Sequence, residues 1–352
     1  MSKPLAVVAG AGGVIGRYIA THLADETGWD VVGLSRRPLR FPTSARWLQV
    51  DLLDVADCRQ KLATLSGATH LFYAAYQERG NLLADLVAPN ESMLRNVVEA
   101  LEDAAPDLQR VVLYTGGKAY GSHLGPYRTP ARESDPRHMP PNFYYNQEDY
   151  LAERQAGKRW SWTVLRPTNI CGLATGNPMN ISTVIAVYAA ISKELGLPLR
   201  FPGKEVTYEK LSQFTDSGHL ARGSRWAAQS EACANQVLNL HNGDHVRWKY
   251  LWPAFAEFFE MKLAEPQRIP LHAFMADKAP LWESMVRKYG LQPLPFAEVA
   301  AWAFGDFMFN TFEWDLMTSM TKIRQLGFHP VVDTEAMYLR LFREFRAARL
   351  IP

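Results

Sequence analysis

The chain has 352 residues, of which 47% are hydrophobic and 21% are charged, and its formal net charge is +2. This length is enough for one large domain or two closely packed ones. A chain so close to neutral, with no dense run of lysine or arginine, is not expected to bind nucleic acid or anionic membranes. No segment reaches the length of apolar sequence that spans a bilayer.

The cysteine and histidine patterns bear on metal sites and on the cellular compartment. Cys58, Cys171 and Cys233 are widely spaced and form no Cys-x-x-Cys pair. This spacing argues against a disulfide framework or a zinc site and is typical of a reducing compartment. The nine histidines show no metal-ligand spacing, so no metal is expected. Because the start of the chain lacks a signal-peptide pattern, we expect a cytoplasmic protein.

The first half of the chain alternates short apolar runs with segments of helical periodicity. Strands are predicted at 5–9, 30–34, 47–50, 69–74, 110–115 and 161–166. Such alternation predicts an α/β fold with a parallel sheet covered on both faces. With right-handed crossovers this becomes a doubly wound, Rossmann-type sheet. We therefore predict a dinucleotide-binding domain over residues 1–170.

The alternation weakens in the second half of the chain. Helical stretches are predicted at 179–195, 250–259 and 297–320, and a strand at 235–240. Residues 171–352 are interpreted as a smaller, mostly helical region that binds the substrate and is partly interwoven with the first sheet. Its aromatic residues around Phe304, Phe307 and Phe312 would suit a hydrophobic ligand.

A glycine-rich turn follows the first predicted strand. Gly10, Gly13 and Gly16 form Gly-x-x-Gly-x-x-Gly, with Gly12 and Val14 between them. A tight turn, a close approach of the backbone to pyrophosphate and close packing of helix on strand all favour glycine. The helix that follows would direct its N-terminal N–H groups at the phosphates. These five residues are the first candidate contacts for a dinucleotide.

The end of the second strand indicates which dinucleotide is preferred. An enzyme that uses NAD usually places an acidic residue there to bind the ribose 2′-hydroxyl group, whereas arginine accommodates a 2′-phosphate. This chain has Ser35, Arg36 and Arg37. Two fixed positive charges favour a phosphate dianion, so NADPH/NADP+ is the predicted cofactor. A solvated basic loop is the alternative interpretation.

Candidate catalytic groups come from two separate segments. Most short-chain dehydrogenases carry Tyr-x-x-x-Lys on one helix, but here Tyr145 is followed four residues later by Asp149. A lysine occurs instead at Lys118, in a glycine-rich segment that follows a predicted strand. We expect Lys118 to reach the usual lysine position from that strand. Tyr145 is the preferred proton donor because it lies four residues before Asp149, the spacing that the tyrosine and lysine usually keep on this helix. Tyr144 is the alternative donor.

These segments together resemble the progesterone 5β-reductase and iridoid synthase-like family of extended short-chain reductases. The resemblance runs nearly end to end, through Gly10–Gly16, the Lys118 segment and residues 142–149. It continues through the segment from Trp162 to Pro167 and reaches the C-terminal Ile351 and Pro352. The resemblance implies NADPH-dependent reduction of activated carbon–carbon double bonds.

The resemblance also implies further cofactor contacts, with Asp51 and Leu52 on the adenine side. The other matching positions are Ala75, Tyr114, Tyr145, Ile170, Asn177 and Met179. Ordinary members of the wider group place Ser or Thr where this chain has Gly116. Loss of that hydroxyl group disfavours simple ketone reduction and suits a longer enone, although Thr115 is adjacent and would be able to compensate.

The predicted function is NADPH-dependent reduction of the C=C bond of a small hydrophobic enone. Tyr145 and Lys118 would stabilise the enolate. Two alternatives stay open: an NADP-dependent ketone or nucleotide-sugar enzyme of the same fold, and a non-catalytic NADP sensor. The sequence does not decide whether the protein forms a homodimer.

Overall fold

The computed structural model describes residues 3–78, 82–177 and 179–352. The strands are β1 Leu5–Ala9, β2 Asp30–Ser35, β3 Arg46–Gln49, β4 Ala68–Tyr73, β5 Arg110–Tyr114, β6 Ser161–Arg166, β7 Ile170–Cys171, β8 Leu199–Arg200, β9 Leu211–Ser212, β10 Thr215–Asp216, β11 Gln236–Asn239, β12 Val246–Arg247 and β13 Leu263–Ala264. The helices are α1 Val14–Thr21, α2 Val55–Leu62, α3 Val87–Ala104, α4 Phe143–Gln155, α5 Ile181–Glu194, α6 Glu205–Glu209, α7 Ser217–Gln229, α8 Trp248–Phe258, α9 Leu271–Phe274, α10 Ala279–Tyr289, α11 Phe296–Val299, α12 Trp302–Asn310, α13 Thr321–Gln325 and α14 Thr334–Ala347. None of the helices in the described ranges combines the length and the apolar character needed to cross a bilayer.

Seven strands form one sheet in the order β11-β6-β5-β4-β1-β2-β3, and every neighbouring pair is parallel. The part of this order from β6 to β3 is that of a Rossmann sheet. The predicted fold class is therefore confirmed. The order reverses between β1 and β4, so their carboxyl ends flank the crevice in which ligands of such sheets bind.

The strand sequences explain why the sheet is covered on both faces. Side chains alternate along a strand, and in β1 Val7 and Ala9 pack with α2 and α3 while Ala6 and Val8 pack with α1 and α7. All four residues are fully buried. Apolar residues at successive positions are what a parallel sheet between two helical layers requires.

The C-terminal half builds a second core around α5, in which every residue from Ile181 to Ser192 is buried. Aromatic rings surround it, and Phe201 packs edge-on against Trp252 and Phe309 with centroids 5.2 and 5.1 Å apart. The same half also supplies β11, which pairs with β6 in the first sheet, and α7, which packs on α1. No single cut in the sequence therefore separates the two cores.

Each predicted strand matches an observed one to within one residue at either end, but the helix predicted at 297–320 is wrong over its second half. Only Phe296–Val299 and Trp302–Asn310 are helical there. Beyond α12 the backbone bonds to distant segments: Leu316 N–H donates to Leu211 O at 2.8 Å, and Ser319 N–H donates to Ala131 O at 2.7 Å. These long-range bonds replace the helical ones, and their partners are remote in sequence.

Candidate active site

The glycine-rich turn lies at the switch point between β1 and β4. Gly10 has φ +78°, and a Cβ there would lie 2.7 Å from the backbone of Ala74 and Ala75. A Cβ on Gly16 would overlap the Gly10 carbonyl group, so α1 can start this close to β1 only with glycine. Gly13 precedes α1 and donates its N–H to Gly10 O at 3.0 Å. The turn leaves the N-terminus of α1 directed at the crevice, as a dinucleotide pyrophosphate requires.

A cavity of about 590 Å³ extends from this turn along the ends of β2 and β3. It is lined by predicted cofactor residues, namely Gly10, Gly12, Gly13, Ser35, Arg36, Arg37, Asp51, Leu52, Ala75 and Asn177. Arg17 and Arg40 also line it, and Arg17 lies over the ring of Phe41 at 4.8 Å. These two arginines were not among the predicted cofactor residues, although Arg17 directly follows Gly16. Four guanidinium groups around one cavity suit a phosphorylated ligand.

A smaller cavity of about 200 Å³ continues inward and shares Gly13, Ala74, Tyr76 and Asn177 with the larger one. Predicted cofactor residues Val14, Ile170 and Met179 line it, and so does Lys118. Its outer wall is apolar and comes from α12 and the segment after it, through Phe304, Phe307, Met308, Phe312 and Leu316. The two cavities together form one continuous cleft that is basic at one end and apolar at the other.

The two adjacent tyrosines of α4 face different surroundings, which corrects the expected position of Tyr145. Tyr144 lines the smaller cavity with Lys118, whereas Tyr145 does not. The Tyr145 hydroxyl group donates to Ala119 O at 2.8 Å and accepts from His138 N–H at 3.2 Å. Tyr145 is thus buried beneath the loop that precedes α4, with its hydroxyl group already bonded.

The helical phase of α4 explains this result. Asn142 starts the helix by accepting a hydrogen bond from Tyr144 N–H at 3.1 Å. Glu148, one turn after Tyr144, points toward the sheet and pairs with Arg166 of β6 at 2.7 Å. Asp149, which set the predicted phase, points outward to Arg137 instead, at 2.7 Å. The pairing of Glu148 with the strand residue Arg166 marks the face of α4 that points toward the sheet.

Gly116 faces Tyr144, which agrees with this assignment. A methyl group placed on Gly116 would lie 3.7 Å from the Tyr144 hydroxyl oxygen. The adjacent Thr115 hydroxyl group donates to Glu148 at 3.2 Å, so it is already occupied and does not replace the hydroxyl group absent at Gly116. The cavity wall next to Tyr144 is therefore bare backbone.

Burial changes the proton affinity of both candidate catalytic groups. Burial, reinforced by the charges of Tyr76 and Glu148, raises the pKa of the Tyr144 phenol above its ordinary value. Burial lowers the pKa of the Lys118 ammonium group, and the negative charge of Glu78 opposes this shift. Tyr144 is thus held in its protonated form, as a hydrogen-bond donor must be. Lys118 lines the same cavity.

Several other predicted positions differ from the structure. Tyr114 was expected at the cofactor, but its side chain packs toward α7 and its hydroxyl group donates to Ser224 at 2.8 Å. The residue alternation along β5 places Tyr114 in the core with α1 and α7, and Tyr114 lines neither of the two cavities. Gly16 does not line the cleft and acts through the packing of the turn. Phe309 is fully buried in the C-terminal core and does not line the smaller cavity, whereas Phe307 and Met308 do.

The strand order, the glycine turn and the cleft define a Rossmann-fold protein of the short-chain dehydrogenase/reductase type. The sequence matches the profile of the PRISE-like Rossmann-fold domain over residues 6–352, and the chain belongs to that family. The family resemblance seen in the sequence is thereby confirmed.

Characterised relatives cover nearly the whole chain. Short chain dehydrogenase gsfE of Penicillium aethiopicum is 32% identical over 375 residues, with 99% of both chains covered. The 3-oxo-Delta(4,5)-steroid 5-beta-reductase of Arabidopsis thaliana is 33% identical over 374 residues and covers 99% of this chain and 94% of its own. The (S)-8-oxocitronellyl enol synthase ISY1 of Nepeta cataria is 32% identical over 369 residues, with the same coverage.

Solved structures show the same architecture at lower sequence identity. A UDP-glucose 4-epimerase of Thermotoga maritima superposes with a TM-score of 0.70 at 17% identity, covering 97% of this chain and 99% of its own. The Bordetella bronchiseptica enzyme WbmH, solved with NAD+, has a TM-score of 0.65 at 18% identity, with 98% and 99% covered. At this identity the likeness concerns the fold alone.

Proposed function

We propose that this protein is an NADPH-dependent reductase of the C=C bond of α,β-unsaturated carbonyl compounds. The observation that carries the proposal is the continuous cleft, in which a basic cavity leads to an apolar one lined by Tyr144 and Lys118. Relatives named as a steroid 5-beta-reductase and as enol synthases support the same kind of chemistry.

The larger cavity fits a phosphorylated dinucleotide. Gly10, Gly12 and Gly13 would hold the pyrophosphate, and Arg36 and Arg37 would bind the 2′-phosphate. Bound NADPH supplies a hydride to the substrate. Asp51 and Leu52 would lie along the adenine, as the family resemblance implies. Val14, Ile170 and Met179 would enclose the nicotinamide end within the smaller cavity, and Asn177 borders both cavities.

The chain's own residues would act on the carbonyl end of the enone. Hydride addition at the β-carbon places negative charge on the carbonyl oxygen, and a hydrogen-bond donor at that oxygen stabilises the transition state more than the ground state. Tyr144 is the donor in this proposal, in place of Tyr145. Lys118 supplies positive charge that favours phenolate character on Tyr144. The α-carbon then takes a proton from solvent or from Tyr144.

Two features favour the C=C bond over the carbonyl group as the site of reduction. Gly116 leaves no side-chain hydroxyl at the position where ordinary members polarise a ketone, and Thr115 is bonded to Glu148. The wall formed by Phe304, Phe307 and Phe312 offers apolar contact along an extended conjugated substrate.

The proposal is tested by following NADPH oxidation with a panel of cyclic and linear enones and identifying the products by mass and retention time. A saturated ketone or aldehyde is the expected product, and Lys118→Met should lower turnover at least tenfold while NADPH still binds. An allylic alcohol as the main product would instead support ketone chemistry. NADPH binding without turnover of any enone, ketone or nucleotide sugar would support the sensor alternative.

A further inference from the structure

Among the polar side chains that line the smaller cavity and that the proposed chemistry does not use are Ser122 and His123. Both follow the Lys118 segment and line the cavity beside Tyr144 and Lys118. Most of the remaining wall is apolar. Two adjacent polar side chains in such a wall can bind a polar group of the ligand. Small-molecule sites commonly combine an apolar lining with a few placed polar groups.

Ser122 presents an unused hydroxyl group to the cavity. Its Oγ lies beside Gly117, where an added Cβ would be 3.2 Å from it. Ser122 is 8% exposed, and within the described residues its hydroxyl group makes no hydrogen bond. Its carbonyl oxygen accepts a hydrogen bond from Trp314 Nε1 at 3.1 Å, which fixes the backbone that carries the hydroxyl group.

His123 is held in place but lacks a partner for Nδ1, which is buried and unbonded within the described part of the chain. Its ring packs edge-on against His138, with centroids 5.6 Å apart. Burial, together with the charges of Lys118 and His138, lowers the pKa of His123 to about 4. The ring is therefore neutral near pH 7 and offers one N–H donor and one lone pair, which suits an uncharged oxygen better than a carboxylate.

Two other hydroxyl groups in the wall, those of Thr115 and Tyr127, are already bonded to protein. Thr115 donates to Glu148 at 3.2 Å, and Tyr127 accepts from Met317 N–H at 2.9 Å. The Ser122 hydroxyl group and His123 Nδ1 are thus without a partner among the described residues, unlike the hydroxyl groups of these two residues. An unpaired polar group in an apolar cavity costs free energy, which a ligand oxygen would recover.

We propose that Ser122 and His123 form a subsite for a second, uncharged oxygen of the substrate, a hydroxyl or carbonyl group separate from the enone carbonyl. This inference rests on the proposed enone reduction and narrows its substrate class to oxygenated enones. It assigns Ser122 and His123 a role in specificity and leaves the hydride transfer to the groups described above.

The test compares kcat/KM for cyclohex-2-enone with its 4-, 5- and 6-hydroxy derivatives in the wild type, Ser122→Ala and His123→Phe. The wild type should prefer at least one hydroxylated isomer roughly fivefold, as expected for one hydrogen bond. Each variant should lose that preference through a higher KM for the hydroxylated isomer, so that the hydroxylated and unsubstituted cyclohexenones become equally good substrates. Leu124→Ala, an exposed change in the same loop, should keep the preference.

An equal hydroxyl preference in the wild type and both variants, or none in the wild type, would overturn the subsite. If the wild type reduces no enone, the proposed function fails, and the subsite is then judged by binding. Calorimetry would compare 4-hydroxycyclohexanone with cyclohexanone on the enzyme–NADP+ complex. Tighter binding of the hydroxy ketone that both variants lose would support the subsite, and equal binding would overturn it.

Discussion

Tyr144 and Tyr145 are adjacent and chemically identical, but their hydroxyl groups contact different parts of the molecule. Tyr144→Phe should lower kcat for enone reduction by about 100-fold or more, because it removes the donor to the developing oxyanion. Tyr145→Phe should change kcat only a few-fold and lower the free energy of unfolding by about 1 kcal/mol through loss of its bond to Ala119. Steady-state kinetics and urea unfolding on both variants measure this contrast. The reverse pattern would return the donor role to Tyr145.

Variants of Arg36 and Arg37 test the preference for NADPH over NADH separately from the reduction of the enone. Replacing both with Ala should raise KM for NADPH at least tenfold and leave KM for NADH within about twofold, because only NADPH carries the 2′-phosphate. Arg59→Ala, an exposed change on α2 outside the cleft, serves as the control. An equal rise in KM for both cofactors would show that these arginines do not recognise the 2′-phosphate.

Among the structural elements, the junction between β1 and α1 depends on Gly16 more than on Gly12. Gly16→Ala would force a Cβ into the Gly10 carbonyl group and should lower the free energy of unfolding by about 1–3 kcal/mol. Gly12→Ala places its methyl group in open space, with no atom within 4 Å, and should leave stability unchanged within about 0.5 kcal/mol. Urea unfolding of the two variants tests the difference, and equal losses would contradict this account of the turn.

The strands of the sheet could be predicted because each is a short apolar run bounded by turn residues. Val7 and Val8 need burial on opposite faces of the sheet, and only a two-sided layer provides it. The glycine turn and Arg36–Arg37 were also predictable, since local sequence fixes both the turn and the charge. These features depend on residues close together in the chain.

The phase of α4 and the course of the chain beyond α12 depend on distant partners. Tyr145 is buried and Tyr144 is half-buried, because the helix contacts the sheet on one side and the loop around His138 on the other. The pairing of Glu148 with Arg166, which sets the inner face, links residues 18 positions apart. After Asn310, backbone hydrogen bonds from Leu316 and Ser319 to segments remote in sequence replace the hydrogen bonds of a helix. Local periodicity contains no information about such partners.

For the whole molecule, buried histidines predict loss of stability in acid. Burial lowers the pKa of His70 and His219 to about 4 and that of His241 to about 3. Between the ordinary histidine pKa near 6.5 and these values, the unfolded chain binds protons that the folded chain does not. The free energy of unfolding should therefore fall as pH drops from 6.5 to 4, by up to about 1.4 kcal/mol per pH unit for each histidine.

His219 offers a variant for this prediction because its ring is fully buried and both nitrogens are unbonded within the described residues. His219→Gln should reduce the slope of unfolding free energy against pH by about 1 kcal/mol per unit between pH 5 and 6. His329→Gln, at an exposed position, should leave the slope unchanged. Urea unfolding across this range provides the measurement, and a slope that survives in His219→Gln would contradict the role of that ring.

The proposed function rests on one step, the addition of hydride to the β-carbon of an enone held between the basic and apolar ends of one cleft. The most direct test uses NADPH deuterated at C4 with an enone substrate and locates the label in the product by NMR. Deuterium at the β-carbon of a saturated carbonyl compound is the predicted result. Deuterium at the former carbonyl carbon of an allylic alcohol would contradict the account and identify the protein as a ketone reductase.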